Sequence, residues 1–264
     1  MGIRLILSAG MILAHGGNGL AQDARPVPGR SREISRETPA LPSTGASDEL
    51  ADPKTGCRIV RADREPDTTI SWSGECYHGL ADGNGVLQWY QAGKPIARYE
   101  GQMKDGLANG RGSITYANGS RYEGDWSNGE RNGRGTFVFA NGAKYTGDFR
   151  DNRPNGRGMY VWPNGNRYIG EFRENQRTGQ GTLYYANGDR YQGEFVDGKA
   201  QGRGIRTFAA GGRYEGEWRN DLPNGYGTSY GNGQNYSGYW RDGCFRDGQR
   251  WATVGVTAQQ CGYH

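Results

Sequence analysis

A fixed interval of 23 residues limits what this chain can become. Tyrosines stand at Tyr99, Tyr122, Tyr145, Tyr168, Tyr191 and Tyr214, each 23 residues after the last, and at Tyr236 after a step of 22. A glycine follows each tyrosine two places on, at Gly101, Gly124, Gly147, Gly170, Gly193, Gly216 and Gly238. Two places further stands a large apolar residue: Met103, Trp126, Phe149, Phe172, Phe195, Trp218 and Trp240. A period of this length marks stacked supersecondary units, each too small to bury its apolar face alone. Composition points the same way. Only 34% of the 264 residues are hydrophobic, while 12% are aromatic and 47 are glycine, so rings must supply much of the buried surface.

Residues 121–144 show what one unit does. Tyr122, Gly124 and Trp126 alternate with Glu123 and Asp125, the period of a strand with one apolar face. Ser127-Asn128-Gly129 turns the chain, and Gly133, Gly135, Phe137 and Phe139 then share one parity of a second strand. Asn141-Gly142 predicts a tight two-residue turn into the next unit, as do Asn118-Gly119, Asn164-Gly165, Asn187-Gly188 and Asn232-Gly233. Glycine weakens a strand, so these glycines need a reason. Room for a ring from the neighbouring strand supplies one. On the opposite face Asp125, Asp148, Glu171, Glu194 and Glu217 recur with Arg134, Arg157 and Arg203, as cross-strand charge ladders facing water.

The pattern Y-x-G-x-W/F, then N-G-x-G-T, then N-G resembles the MORN repeat family, closely over Tyr99 to Asn235. The resemblance implies an all-β fold: an elongated, single-layer antiparallel sheet of stacked hairpins. Family members also occur as appendages of phosphatidylinositol phosphate kinases, junctophilins and lysine methyltransferases. That likeness stops at the repeat, so no catalytic role of those proteins is expected to carry over.

Five segments are expected. Residues 1–21 read as a signal peptide: Arg4 gives the positive start, Leu5 to Ala14 the apolar run, and Gly19-Leu20-Ala21 the cleavage site. The run is far short of the ~20 residues of a spanning helix, so the protein is expected to be exported, periplasmic or secreted. Residues 22–54, rich in proline, serine and arginine, read as a disordered tether. Residues 55–98 hold an N-terminal cap and a degraded copy beginning at Trp72, with Cys76 where the second aromatic belongs. Six regular copies fill 99–235, and 236–264 hold a last degraded copy and a C-terminal cap.

Cys57 and Cys76 flank the first copy, Cys244 and Cys261 the last. In an exported protein an even count suggests disulfides. With strands ~4.8 Å apart the array is roughly 70 Å long, which excludes a bridge from end to end. The predicted pairs are therefore Cys57–Cys76 and Cys244–Cys261. No CxxC spacing supports a zinc site.

Catalytic signals are missing from the sequence. Beyond the signal segment only His78 and His264 remain, and no phosphate loop, HExxH, GxSxG or calcium loop is present. The recurring acids stand in equivalent surroundings, unlike an acid–base pair whose members must differ. No cofactor, metal or enzyme activity is expected. A net charge of +4 with bases and acids interleaved is no nucleic-acid stripe. The expected function is a scaffold for an unidentified protein partner. Its candidate surface is the ring row Trp126, Phe149, Phe172, Phe195, Trp218 and Trp240 with Arg134, Arg157 and Arg203. The alternative is a module for envelope glycans or anionic lipid headgroups, since tryptophan faces beside arginines suit both, and the family resemblance adds a link to membranes. Open sheet edges would also favour a homodimer.

Overall fold

The computed structural model describes residues 48–61 and 67–263. The signal peptide, the tether before residue 48 and His264 lie outside them. The chain divides into two compact units that part between Thr178 and Gly179. Among the described residues the regular elements are twenty strands and one 3-10 turn, with no α-helix.

The first unit starts with a cap. Strands β1 (Asp48–Ala51) and β2 (Arg58–Arg61) pair antiparallel, and β2 meets the start of the long β5 (Leu80–Gln91) in parallel at Arg58 and Leu80. Strands β3 (Thr68–Trp72) and β4 (Glu75–Tyr77) share β5 between them, β3 along its later half and β4 along its beginning. Cys57–Cys76 is a disulfide with its Cα atoms 5.7 Å apart. From β5 onward each strand pairs antiparallel with the next: β6 (Lys94–Lys104), β7 (Leu107–Tyr116), β8 (Arg121–Ser127), β9 (Glu130–Val138), β10 (Lys144–Arg150), β11 (Arg153–Val161) and β12 (Arg167–Arg173). The second unit repeats the scheme. It runs from β13 (Gln176–Tyr184), most of which belongs to it, through β14 (Arg190–Val196), β15 (Lys199–Thr207), β16 (Arg213–Arg219), β17 (Leu222–Gly231) and β18 (Gln234–Arg241). Strands β19 (Cys244–Asp247) and β20 (Arg250–Thr253) close it, and Cys244–Cys261 ties the last turn back with Cα atoms 5.7 Å apart. Both disulfides are the pairs that the sequence predicts.

The hairpins β6–β7, β8–β9, β10–β11, β14–β15 and β16–β17 are each bent by a bulge. In β8 and β9, Gly124 faces Gly135 while Trp126 faces Arg131, so two steps along one strand span four along the other. Bulges of this kind kink the strand and sharpen its twist. Beyond the bend the hairpin tips bond to one another: Gly129 N–H donates to the Ala108 carbonyl at 2.9 Å, and Asn175 N–H to that of Pro154 at 3.1 Å. In the second unit Asp221 N–H reaches the Ala200 carbonyl at 3.1 Å.

The turns differ from expectation. Asn141-Gly142 does not make a two-residue turn. Phe139 N–H donates to the Ala143 carbonyl and Gly142 N–H to the Phe139 carbonyl, both at 2.9 Å, while Asn141 Oδ1 accepts Ala143 N–H at 2.8 Å. Asn118, Asn164 and Asn187 cap their turns in the same way. The asparagine thus serves as an acceptor at the turn, and only the glycine needs positive φ. Of the five dipeptides, Asn232-Gly233 alone closes a two-residue turn. Further tight turns fall at the hairpin tips, among them Asn128-Gly129, Asp151-Asn152 and Asn220-Asp221, where both central residues have positive φ.

Candidate binding surface

The tyrosine ring holds each hairpin together. Gly124 and Gly135 face each other, and the Tyr122 ring lies over them: a Cβ on Gly135 would stand 2.3 Å from Tyr122 Cε2. The hydroxyl donates to the Asp125 carbonyl at 2.9 Å, satisfying a backbone group that the bulge takes out of the ladder. Tyr99, Tyr145, Tyr168, Tyr191 and Tyr214 each make the same bond three residues on, at 2.7 to 3.2 Å. Burial pushes all six phenols well above the usual tyrosine pKa.

Four of these tyrosines, Tyr122, Tyr145, Tyr191 and Tyr214, also touch two rings edge-on, that of their own copy and that of the next. Tyr122 meets Trp126 at 5.2 Å and Phe149 at 5.1 Å; Tyr145 meets Phe149 and Phe172, both at 5.0 Å. In the second unit Tyr191 meets Phe195 and Trp218, and Tyr214 meets Trp218 and Trp240. Such pairs are worth about 0.5–1.5 kcal/mol beyond the area that they bury. The tryptophans bond their polar ends as well: the indole N–H groups of Trp126, Trp218 and Trp240 donate to the carbonyls of Gly112, Gly204 and Gly227. The structure therefore places Trp126, Phe149, Phe172, Phe195, Trp218 and Trp240 in the core, each at most 4% exposed.

Arg134, Arg157 and Arg203 stand exposed on the other face. Rings and arginines do not converge on one surface, because a strand points successive side chains to opposite sides. The acids of this outer face have a task that the alternating pattern does not reveal. Asp125 Oδ2 accepts the Arg134 backbone N–H at 2.8 Å, and Asp148 Oδ2 that of Arg157 at 2.9 Å. Glu194 and Glu217 do the same for Arg203 and Tyr226. They cap amides freed by the bulge. The bulge glycine Gly133 has a φ of 99°, and a Cβ there would meet Asp125 rather than a ring. Side-chain pairing is looser: Arg111 Nε lies 3.2 Å from Asp125, and Arg134 Nε 3.5 Å from Asp148, with the guanidinium-bearing side chains 82% and 87% exposed.

Three buried arginines lie on the ring side instead. Arg131 is fully buried against Tyr122 and Phe137, with its Nε bonded to Asn152 at 3.3 Å and neither Nη hydrogen-bonded. Burial holds its pKa below the usual arginine value. Arg177 packs on Trp162 and Tyr168. Arg206 lies between Tyr185 and Phe208 and pairs with the buried Asp189 at 2.8 Å. The 23-residue register held the signal: Arg131 and Arg177 occupy a tip position where the other copies carry Ala108, Pro154, Ala200 and Pro223.

Among the described residues no three His, Cys, Asp or Glu side chains gather as a metal site, and no helix is long and apolar enough to cross a membrane. No protein with a curated description matches the chain by sequence. Among solved structures it is similar, at 12% identity, to the G-box domain of the microcephaly protein CPAP, with a TM-score of 0.32 over 60% of this chain and 82% of that one. A point mutant of the TCP10 domain of Danio rerio CPAP gives a TM-score of 0.23, also at 12% identity, over 62% and 84%. Both likenesses are too slight to bear on function. The MORN repeat family matches residues 72–91, 99–121, 122–144, 145–167, 168–190, 191–213 and 214–234, more than half of the chain. With its tyrosines, paired glycines and following rings arranged in successive hairpins, the chain belongs to the MORN repeat family.

Proposed function

We propose that this protein is an exported, non-enzymatic scaffold that binds a protein partner through the outer face of its hairpins. One observation carries the reading: the rings are closed off in the core, while Arg111, Arg134, Arg157 and Arg203 recur on the outer face with their side chains in water. Arg111, Arg134 and Arg157 stand one repeat apart within the first unit, and exposed guanidinium groups so spaced suit a partner surface that offers carboxylates. The acids of that face are engaged by bulge amides and are poorly suited to proton transfer.

A photo-crosslinking residue placed at Arg157 tests this in intact cells. A discrete protein adduct that disappears on Arg134→Glu with Arg203→Glu is expected. Sedimentation with anionic vesicles or peptidoglycan, lost in the same variant and accompanied by no protein adduct, would overturn it. Export has its own check. The protein is expected in the periplasmic or secreted fraction with Gln22 as its first residue, and an intact Met1 in the cytoplasmic fraction would refute that part.

A further inference from the structure

The outer face changes character at its C-terminal end. In register with Arg134, Arg157 and Arg203 stands Tyr226, and in the position of the acids stands Tyr239. The two face each other across β17 and β18 with ring centroids 5.5 Å apart, edge to face, and are 56% and 79% exposed. A charged rung is thus replaced by an open aromatic step.

Beside Tyr239 the Cys244–Cys261 disulfide and the Gln259–Cys261 turn wall off a cleft of about 610 Å³. That is within the range of small-molecule sites, about 300–1,000 Å³. Two guanidinium groups line it, those of Arg241 and Arg246. Arg246 is steadied by its Nε–H bond to the Gly248 carbonyl at 3.2 Å and by the Tyr263 ring, 5.9 Å from its guanidinium carbon. The Tyr263 hydroxyl is anchored in turn on the Phe245 carbonyl at 3.0 Å. The Arg241 side chain makes no hydrogen bond or ion pair among the described residues. The one acid of the cleft, Asp242, is committed to Asn224 at 2.7 Å and Arg219 at 3.5 Å, so it does not neutralise Arg241.

We infer that this cleft binds an acidic saccharide, with the C–H face of a pyranose on Tyr239 and the sugar carboxylate on Arg241 and Arg246. A tyrosine offers an apolar face to stack a sugar at little entropic cost, and a guanidinium fork matches a carboxylate in two hydrogen bonds. Neither element alone selects a uronic acid; side by side they do. The inference goes beyond the scaffold reading and does not depend on it, since it uses none of the arginines assigned to the partner.

Affinity electrophoresis tests it. The purified protein is run through native gels containing polygalacturonate or neutral dextran, and oligogalacturonate affinity is measured by calorimetry. Retardation by polygalacturonate and none by dextran is expected. Tyr239→Ala and Arg241→Gln should each weaken oligogalacturonate binding by about tenfold or more, as truncation of an anchor does. Both side chains are exposed, so an unchanged thermal melt should confirm that the variants fold. Arg121→Gln, a change at an exposed arginine far along the chain from the cleft, should bind as the wild type does. Absence of retardation, or a Tyr239→Ala protein that binds unchanged, overturns the assignment. Equal losses in Arg121→Gln and Arg241→Gln would assign the effect to general basic charge, and displacement of oligogalacturonate by phosphatidylglycerol vesicles would assign the cleft to lipid headgroups; either result also overturns it.

Discussion

At the N-terminal end Trp72 takes over the tyrosine's work; at the C-terminal end Tyr236 gives it up. The Trp72 ring lies over Gly74 and Gly85 as Tyr122 lies over its own glycine pair, and its indole N–H donates to the Glu75 carbonyl, three residues on, at 2.8 Å. Tyr236 is equally buried, yet its hydroxyl donates to the side chain of Gln234. The ring that follows it across the end of the sheet is Phe245, at 5.9 Å. The first end therefore preserves the hairpin's internal bonding in altered residues, while the last end keeps the ring packing and the Trp240 indole bond but turns the tyrosine hydroxyl to a side chain. Where the repeat's own bonding lapses, the outer face is released from its charge ladder, and there Tyr226, Tyr239 and the cleft occur.

The largest expected effect separates the two ends directly. Trp72→Ala should destabilise by about 3–5 kcal/mol, the cost of emptying a large aromatic site. Urea denaturation measures it, and a loss below ~1 kcal/mol would show that the first copy stands apart from the ring stack. Next come the disulfides. Each closes a loop of similar length, 19 and 17 residues, so replacing either pair by serine should cost about 3 kcal/mol. The ends should differ in where protection is lost. Cys57 is buried beside Ile59, so amide exchange should rise through β2 and β5, whereas loss of Cys244–Cys261 should free chiefly residues 254–263. Similar exchange patterns at both ends would break the comparison.

Smaller effects sharpen it. Tyr122→Phe leaves the Asp125 carbonyl without its donor and should cost about 1–3 kcal/mol. Tyr236→Phe removes the bond to the Gln234 side chain and should cost less than about 1 kcal/mol. Equal losses would erase the distinction between a preserved and a lapsed copy. The smallest effect is that of pH. Burial works to raise the Asp52 carboxyl, but the bonds from Trp72 N–H at 3.0 Å and Lys54 N–H at 2.8 Å, with Thr55 beside them, outweigh it and hold the pKa below its ordinary 3.8. A carboxyl lowered on folding stabilises above its unfolded value and loses that contribution as pH falls through the folded one. The N-terminal cap should thus weaken below about pH 4, and Asp52→Asn should flatten that limb of the acid titration. An acid limb unchanged in Asp52→Asn would reassign the effect to other carboxyls.

The period made the hairpins, the glycine-covering rings and the cysteine pairs legible in advance, since each is a local or nearest-neighbour consequence of spacing. The faces were harder. A sheet that could present either side gives no sign in its alternation of which side closes, and the bend at Gly133 is what brings the hairpin tips together and shuts the rings away. Asp125 and its equivalents read as half of an ion pair because the amide that they cap is exposed only by the bulge. Arg131, Arg177 and Arg206 break the apolar pattern one residue at a time. A reading tuned to what recurs passes over them, although alignment of the copies shows each as a departure.

The bonds from one hairpin tip to the one before it have a further consequence for how such a chain can change. Gly129 finds its acceptor at Ala108, and Asn175 its own at Pro154, each 21 residues back. Tyr122 and Phe149, like Tyr145 and Phe172, meet at a spacing of 27. No partner in these sets lies much more than one period away. Duplicating or excising a stretch of 23 residues within either unit would hand every donor an acceptor of the same kind, so gene lengthening can add or drop a rung while the two disulfide-bonded ends stay as they are.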